Sequence, residues 1–113
     1  SFEQMRALVG ISRNQGIRQV ELADLLDIQP ITLVHQIDQL AGSGLVERRP
    51  DPNDRRAYQL FPTQAAEPHL SAIKKIGKGI EQEILAGLDK GEAAVAMKLL
   101  RTMRDNMAAL KSS

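Results

Sequence analysis

Leu45 to Thr63, reading LVERRPDPNDRRAYQLFPT, interrupts a chain whose apolar spacing is otherwise helical from end to end. Two short runs, 45–49 and 57–61, carry the β-preferring residues Val46, Tyr58 and Leu60 on either side of a Pro/Asp/Asn tip. That pattern predicts a β-hairpin. Arg48, Arg49, Arg55 and Arg56 crowd around the tip together with Glu47, Asp51 and Asp54. A tip of this composition is expected to stand in solvent and not in a core. Cations on a protruding hairpin suit contact with a phosphate backbone or entry into a minor groove.

The helical spacing on either side gives the rest of the architecture. Phe2, Met5, Leu8 and Val9 predict a helix over residues 2–13, ended by Asn14-Gln15-Gly16. Val20, Leu22, Ala23, Leu25 and Leu26 predict a short helix over 19–27, followed by a turn to Pro30, which suits the first turn of the next helix. Residues 31–42 show the cleanest amphipathic pattern. Leu33, Val34, Ile37, Leu40 and Ala41 form one stripe; Thr32, His35, Gln36, Gln39 and Ser43 form the other, before Gly42-Ser43-Gly44 stops the helix. After Thr63 the chain is predicted helical to its end, with a kink or late start at Pro68. Leu70, Ile73, Ile76, Ile80, Ile84 and Leu88 recur as a stripe longer than one small domain needs. Asp89 and Glu92 resemble a capping box opening the last helix, whose apolar face is Ala96, Leu99, Leu100, Met103, Met107 and Leu110. The expected class is mainly α with a small β-hairpin.

At 113 residues the chain is long enough for one domain with a hydrophobic core. With two Phe, one Tyr and no Trp, that core must be aliphatic. There is no cysteine, which excludes disulfides and thiolate metal sites. No apolar run reaches membrane-spanning length and no signal-peptide pattern opens the chain, so a cytoplasmic protein without a membrane partner is expected. The net charge of +1 says little as a total; the focusing of arginine on the hairpin says more.

Residues 19–61 thus form a helix, turn, helix, hairpin unit. The outward face expected of its second helix, Thr32, His35, Gln36 and Gln39, holds hydrogen-bonding groups and no carboxylate. Such a face suits the base edges and phosphate rim of a major groove. Taken alone it also reads as the solvated side of an ordinary amphipathic helix; the adjoining arginines favour DNA. In the hairpin, a carboxylate beside Arg55 and Arg56 is expected to fix one guanidinium as a strut and leave the other free. Arginine in place of lysine suits phosphate and narrow minor-groove contacts. His35 and His69 lie on different elements, no glycine-rich phosphate loop follows a strand, and no nucleophile elbow is present. No metal, cofactor or catalytic activity is expected.

These residues resemble the winged helix-turn-helix of MarR-type regulators, and within them the SlyA-like branch. The resemblance spans residues 2–110. It is most specific over Glu21–Thr63, chiefly in Glu21-Leu22-Ala23, Ile37-Asp38-Gln39-Leu40, Gly44-Leu45-Val46 with Arg48, and Asp54-Arg55-Arg56. It implies one domain over 1–113: a winged helix-turn-helix over 17–63, flanked by packing and dimerisation helices over 1–16 and 64–113. It further implies a homodimer on a pseudo-palindromic operator, with the helix from Pro30 to Ala41 in the major groove. On that reading Thr32, His35 and Gln36 match DNA-facing positions, Arg56 matches the wing-tip arginine that enters the minor groove, and Asp54 matches the acid that orients it. Arg48, Arg49 and Arg55 would lie nearer the DNA backbone, and Gln39 completes the expected interface.

The sequence departs from the family at His35, where arginine is common, at Arg18, which replaces a capping Thr, at Pro62-Thr63, and at Ala65-Ala66. The resemblance also places Ser1 inside the family's second helix, so the first helix is expected to precede Ser1 or to be missing. A small aromatic effector between the winged part and the dimer helices is a further implication, with Met97, Met103 and Met107 read either as pocket lining or as plain core. The function expected is a sequence-specific repressor relieved by an effector. The alternative is a protein-interaction module using the stripe after Leu70.

Overall fold

The structure, a computed structural model, describes residues 1–112. Its elements in chain order are α1 (Phe2–Arg13), β1 (Ile17–Arg18), α2 (Gln19–Leu26), α3 (Pro30–Gly42), β2 (Val46–Asp51), β3 (Asp54–Pro62), a 3-10 turn (Gln64–Ala66), α4 (Glu67–Ile84) and α5 (Lys90–Ser112). The chain groups into two compact units, Ser1–Lys74 and the chain from Lys75 on. The sequence reading treats 1–113 as one domain; the two units are described separately.

In the first unit, α1 opens with the Ser1 hydroxyl accepting the Gln4 N–H at 3.3 Å, the usual way of satisfying an orphan donor at a helix start. Helix α2 stops at Asp27, a non-glycine residue in the left-handed region (φ 56°), whose N–H returns to Ala23 and Asp24. Pro30 then begins α3 at a position where its missing N–H has no helical partner to lose. Gly44, at φ 76°, reverses the chain after α3 so that β2 can begin. The Thr63 hydroxyl donates to the Gly44 carbonyl at 2.6 Å, and Thr63 N–H bonds Leu45 O at 3.0 Å, which closes the base of the hairpin.

The hairpin is longer than the sequence predicts. Its ladder runs from Val46↔Pro62 to Asp51↔Asp54, so Arg55 and Arg56 lie on β3 and not in the turn, which is Pro52-Asn53. The register slips between Pro50 and Asp51. The sequence reading also misses β1. This two-residue strand pairs Ile17 with Leu60 and Arg18 with Gln59, making an antiparallel sheet in the order β1-β3-β2. Two residues are too few to show an alternating pattern; only β3 beside them makes them a strand.

The core contains Ala7, Leu8 and Ile11 of α1, Leu22 and Ala23 of α2, Leu33, Ile37 and Leu40 of α3, Val46 and Leu60 of the hairpin, and Ala66. Burying each large aliphatic contributes about 1.5–3 kcal/mol before entropy is charged against it. Gly10 lets α1 and α2 approach closely: a Cβ there would lie 2.9 Å from a methyl of Leu22. In α2 the sequence-predicted stripe is only partly buried. Val20 and Leu25 are exposed, because eight residues present only about two turns and Leu22, Ala23 and Leu26 fill the inward side.

In the second unit the predicted capping box is present. Asp89 N–H bonds the Glu92 carboxylate at 3.1 Å, and Glu92 N–H bonds that of Asp89 at 2.8 Å. Near the end of the first unit, the 3-10 turn and a helix start at Glu67 place Pro68 in the first turn of α4, the late start expected. Of the predicted apolar stripes, Leu70, Ile73 and Ala96 are partly buried, whereas Ile76, Ile80, Ile84, Leu88, Leu99, Leu100, Met103, Met107 and Leu110 are all exposed. Among the described residues no helix is long and apolar enough to cross a membrane.

Candidate nucleic-acid interface

The sequence-predicted site residues fall on two elements, α3 and the β2–β3 hairpin. A network of arginine contacts joins these elements. Arg48 of β2 donates from Nε to the Gln19 side-chain oxygen at 2.9 Å and from its terminal nitrogen to Asp38 at 2.5 Å. One guanidinium therefore ties the hairpin to both α2 and α3, the kind of work its rigid fork of donors suits. Arg49 pairs with Glu47 on its own strand and lies 3.9 Å above the Phe61 ring centroid, a cation–π contact. Both strand arginines are engaged in holding the fold.

Arg55 and Arg56 differ. They are exposed on β3, and among the described residues neither guanidinium makes an ion pair or hydrogen bond. The expected carboxylate strut takes another form. Asp54 accepts the backbone N–H of Arg56 at 3.0 Å, not its guanidinium. The acid shapes the backbone from which Arg56 projects and leaves the cation unneutralised. The reason is geometric: a carboxylate two residues earlier reaches the local N–H in a tight turn more readily than a side chain that points away.

Asp51 is the buried acid of the hairpin, with its side chain only 4% exposed, so the tip is not wholly in solvent as expected. It accepts Arg18 Nε at 2.9 Å and Asn53 N–H at 2.8 Å. The hydrogen bond from Arg18 and the Asn53 N–H hold its carboxyl below the usual carboxylate range. The Arg18 guanidinium is in turn held above its ordinary value, first by the hydrogen bond and then by the charge of Asp51.

On α3, Thr32, His35 and Gln39 are exposed, together with Ile31 at the helix start, an 82% exposed apolar residue that the sequence reading passes over. His35 Nε2 and Gln39 Nε2 are 3.3 Å apart, and Gln39 also accepts a hydrogen bond from Gln4 of α1. Gln36 does not face outward as expected. It is 9% exposed and its Oε1 has no partner among the described residues. At 3.6 residues per turn, position 36 lies three after Leu33 and four before Leu40, so it joins their inward face. The sequence reading assigned it outward by residue type, not by angle.

Sequence reasoning missed the supporting partners Arg18, Gln19, Asp38, Gln4 and Phe61. Arg18 and Asp51 are 33 positions apart, and no local spacing signals such a contact. Among the described residues no group of His, Asp and Glu is placed to hold a metal ion.

Known structures share this fold. A structure of MarR is 27% identical, with a TM-score of 0.84, covering 97% of this chain and 75% of that one. A MarR transcriptional regulator from Methanosarcina mazei Go1 is 28% identical, with a TM-score of 0.83, covering 95% of this chain and 77% of that one. FabT of Streptococcus pneumoniae, solved in complex with DNA, shares the fold at 22% identity and a TM-score of 0.79, over 97% of this chain and 77% of that one. The family model described as the MarR family matches residues 1–58. With that match covering just over half of its residues, and with a helix-turn-helix braced against an arginine-bearing hairpin, the chain belongs to the MarR family of winged-helix proteins.

Proposed function

We propose that this protein is a DNA-binding transcriptional regulator that represses by occupying a pseudo-palindromic operator as a homodimer and is released by a small aromatic effector. The observation that carries the DNA reading is the division among the wing arginines. Arg48 and Arg49 are paired with other groups of the protein, whereas Arg55 and Arg56, exposed on a braced strand, have no ion-pair or hydrogen-bond partner for their guanidinium groups among the described residues. An interior strut needs a partner; a phosphate or minor-groove probe needs none until DNA arrives. The exposed side of α3, with Thr32, His35, Gln39 and Ile31, offers hydrogen-bonding groups and a methyl-bearing surface for a major groove. Family membership and the DNA-bound structure of FabT support the same reading.

The exposed stripes of α4 and α5 supply the apolar surface that a homodimer would bury. The protein acts in the cytoplasm, by occupancy and without catalysis. The test is selection of bound duplexes from a random pool, followed by titration of Arg56→Ala on a selected duplex. A palindrome with half-sites about one helical turn apart is expected. Arg56→Ala should weaken binding and lower the salt slope by about one. Unchanged binding by Arg56→Ala sinks the wing assignment. Failure to enrich any duplex at low salt, with a protein partner retained instead, favours the interaction-module alternative.

A further inference from the structure

Arg18 stands where three structural roles meet. Its backbone pairs with Gln59 in the sheet, its N–H bonds the Glu21 carboxylate at 3.0 Å at the start of α2, and its side chain reaches Asp51. Because the strand order is β1-β3-β2, that side chain spans the middle strand to grip the far one. It grips at the point where the hairpin register slips, between Pro50 and Asp51. The same carboxylate accepts Asn53 N–H and so sets the Pro52-Asn53 turn from which β3 starts. Arg55 and Arg56 are the second and third residues of that strand. The helix-turn-helix and the position of Arg55 and Arg56 are therefore joined through one ion pair, whose acid is buried and whose arginine is partly exposed.

We propose that Arg18 and Asp51 are a positioning pair for the wing: they fix where Arg55 and Arg56 stand relative to α2 and α3, and so set the wing-borne part of DNA affinity. The proposal rests on the DNA-binding reading above, but its structural half does not. Neither residue touches DNA in this scheme. The Arg18 guanidinium is already engaged by Asp51, and Asp51 would repel phosphate if it were free. A contact through the Nε–H also explains why the pair calls for arginine and not lysine.

The test uses the full chain and a duplex recovered by the random-pool selection. Arg18→Thr and Asp51→Asn are titrated in the wild-type background and in the Arg56→Ala background, with circular dichroism to establish folding. Each is expected to weaken binding about tenfold in the wild type and less than about twofold once Arg56 is gone, since contacts acting through one group are not additive. Arg18→Lys keeps the charge but not the Nε–H, and serves if Arg18→Thr fails to fold; an intermediate loss is expected. The reversed pair, Arg18→Asp with Asp51→Arg, should recover part of the affinity. In the free protein the same variants should raise amide exchange at Asn53 to Arg56 while leaving Leu33 to Leu40 protected. Equal losses in both backgrounds, or no loss, overturn the proposal. So does unchanged exchange at the wing, whether or not the protein binds DNA. Absence of wild-type binding with altered wing exchange overturns the DNA reading instead.

Discussion

The two units use the same kind of apolar spacing and reach opposite ends. In the first, the stripes of α1, α2 and α3 close on one another and on Val46 and Leu60, leaving Ile11, Leu22, Leu33, Ile37 and Leu60 fully buried. In the second, the stripes of α4 and α5 are as regular, yet Ile80, Ile84, Leu99 and Met103 remain exposed. Periodicity says which face of a helix is to be buried; it does not say what buries it. The first unit supplies its own cover. The second leaves its stripes exposed, which is why the homodimer is proposed.

The sharpest way to break this comparison is to cut each stripe. Ile37→Ala removes a fully buried side chain of the core cluster, and is expected to cost about 2–5 kcal/mol in chemical denaturation. Ile80→Glu combined with Leu99→Glu should leave unfolding of the first unit nearly unchanged and convert dimer to monomer in sedimentation. If the wild type is already monomeric, or the double variant unfolds the first unit, the contrast between self-covered and partner-covered stripes fails. The smallest effect sharpens it from inside the core. Gln36 occupies a core face with an unpartnered oxygen, so Gln36→Leu should change stability by under about 1 kcal/mol or raise it, because no hydrogen bond is lost. A large loss in the same denaturation assay would show that the oxygen has a partner in solution.

Much of the site was legible in order but not in orientation. The hairpin, its arginines and the helix before it follow from Leu45–Thr63 and the stripe of residues 31–42, since local patterns encode local structure. What the sequence reading misjudged was the contact each residue makes. Asp54 shapes the backbone of Arg56 in place of its guanidinium, Gln36 turns inward, and Asp51 is buried. Arg18, a departure from the family pattern noted in the sequence, becomes informative only when Asp51 is found beside it.

Local pattern is enough to predict a mainly helical chain with one cationic hairpin, its helix boundaries near residues 13, 30 and 42, and the capping of its last helix. These follow from propensity, proline and glycine placement, and side-chain periods of two or 3.6. The arrangement in space adds that Ile17 and Arg18 form a strand, that Arg48 and Arg49 are paired while the guanidinium groups of Arg55 and Arg56 have no partner among the described residues, and that Arg18 reaches Asp51. Those outcomes depend on which distant groups come within hydrogen-bonding reach, and a short-range force between residues tens of positions apart leaves no trace in local spacing.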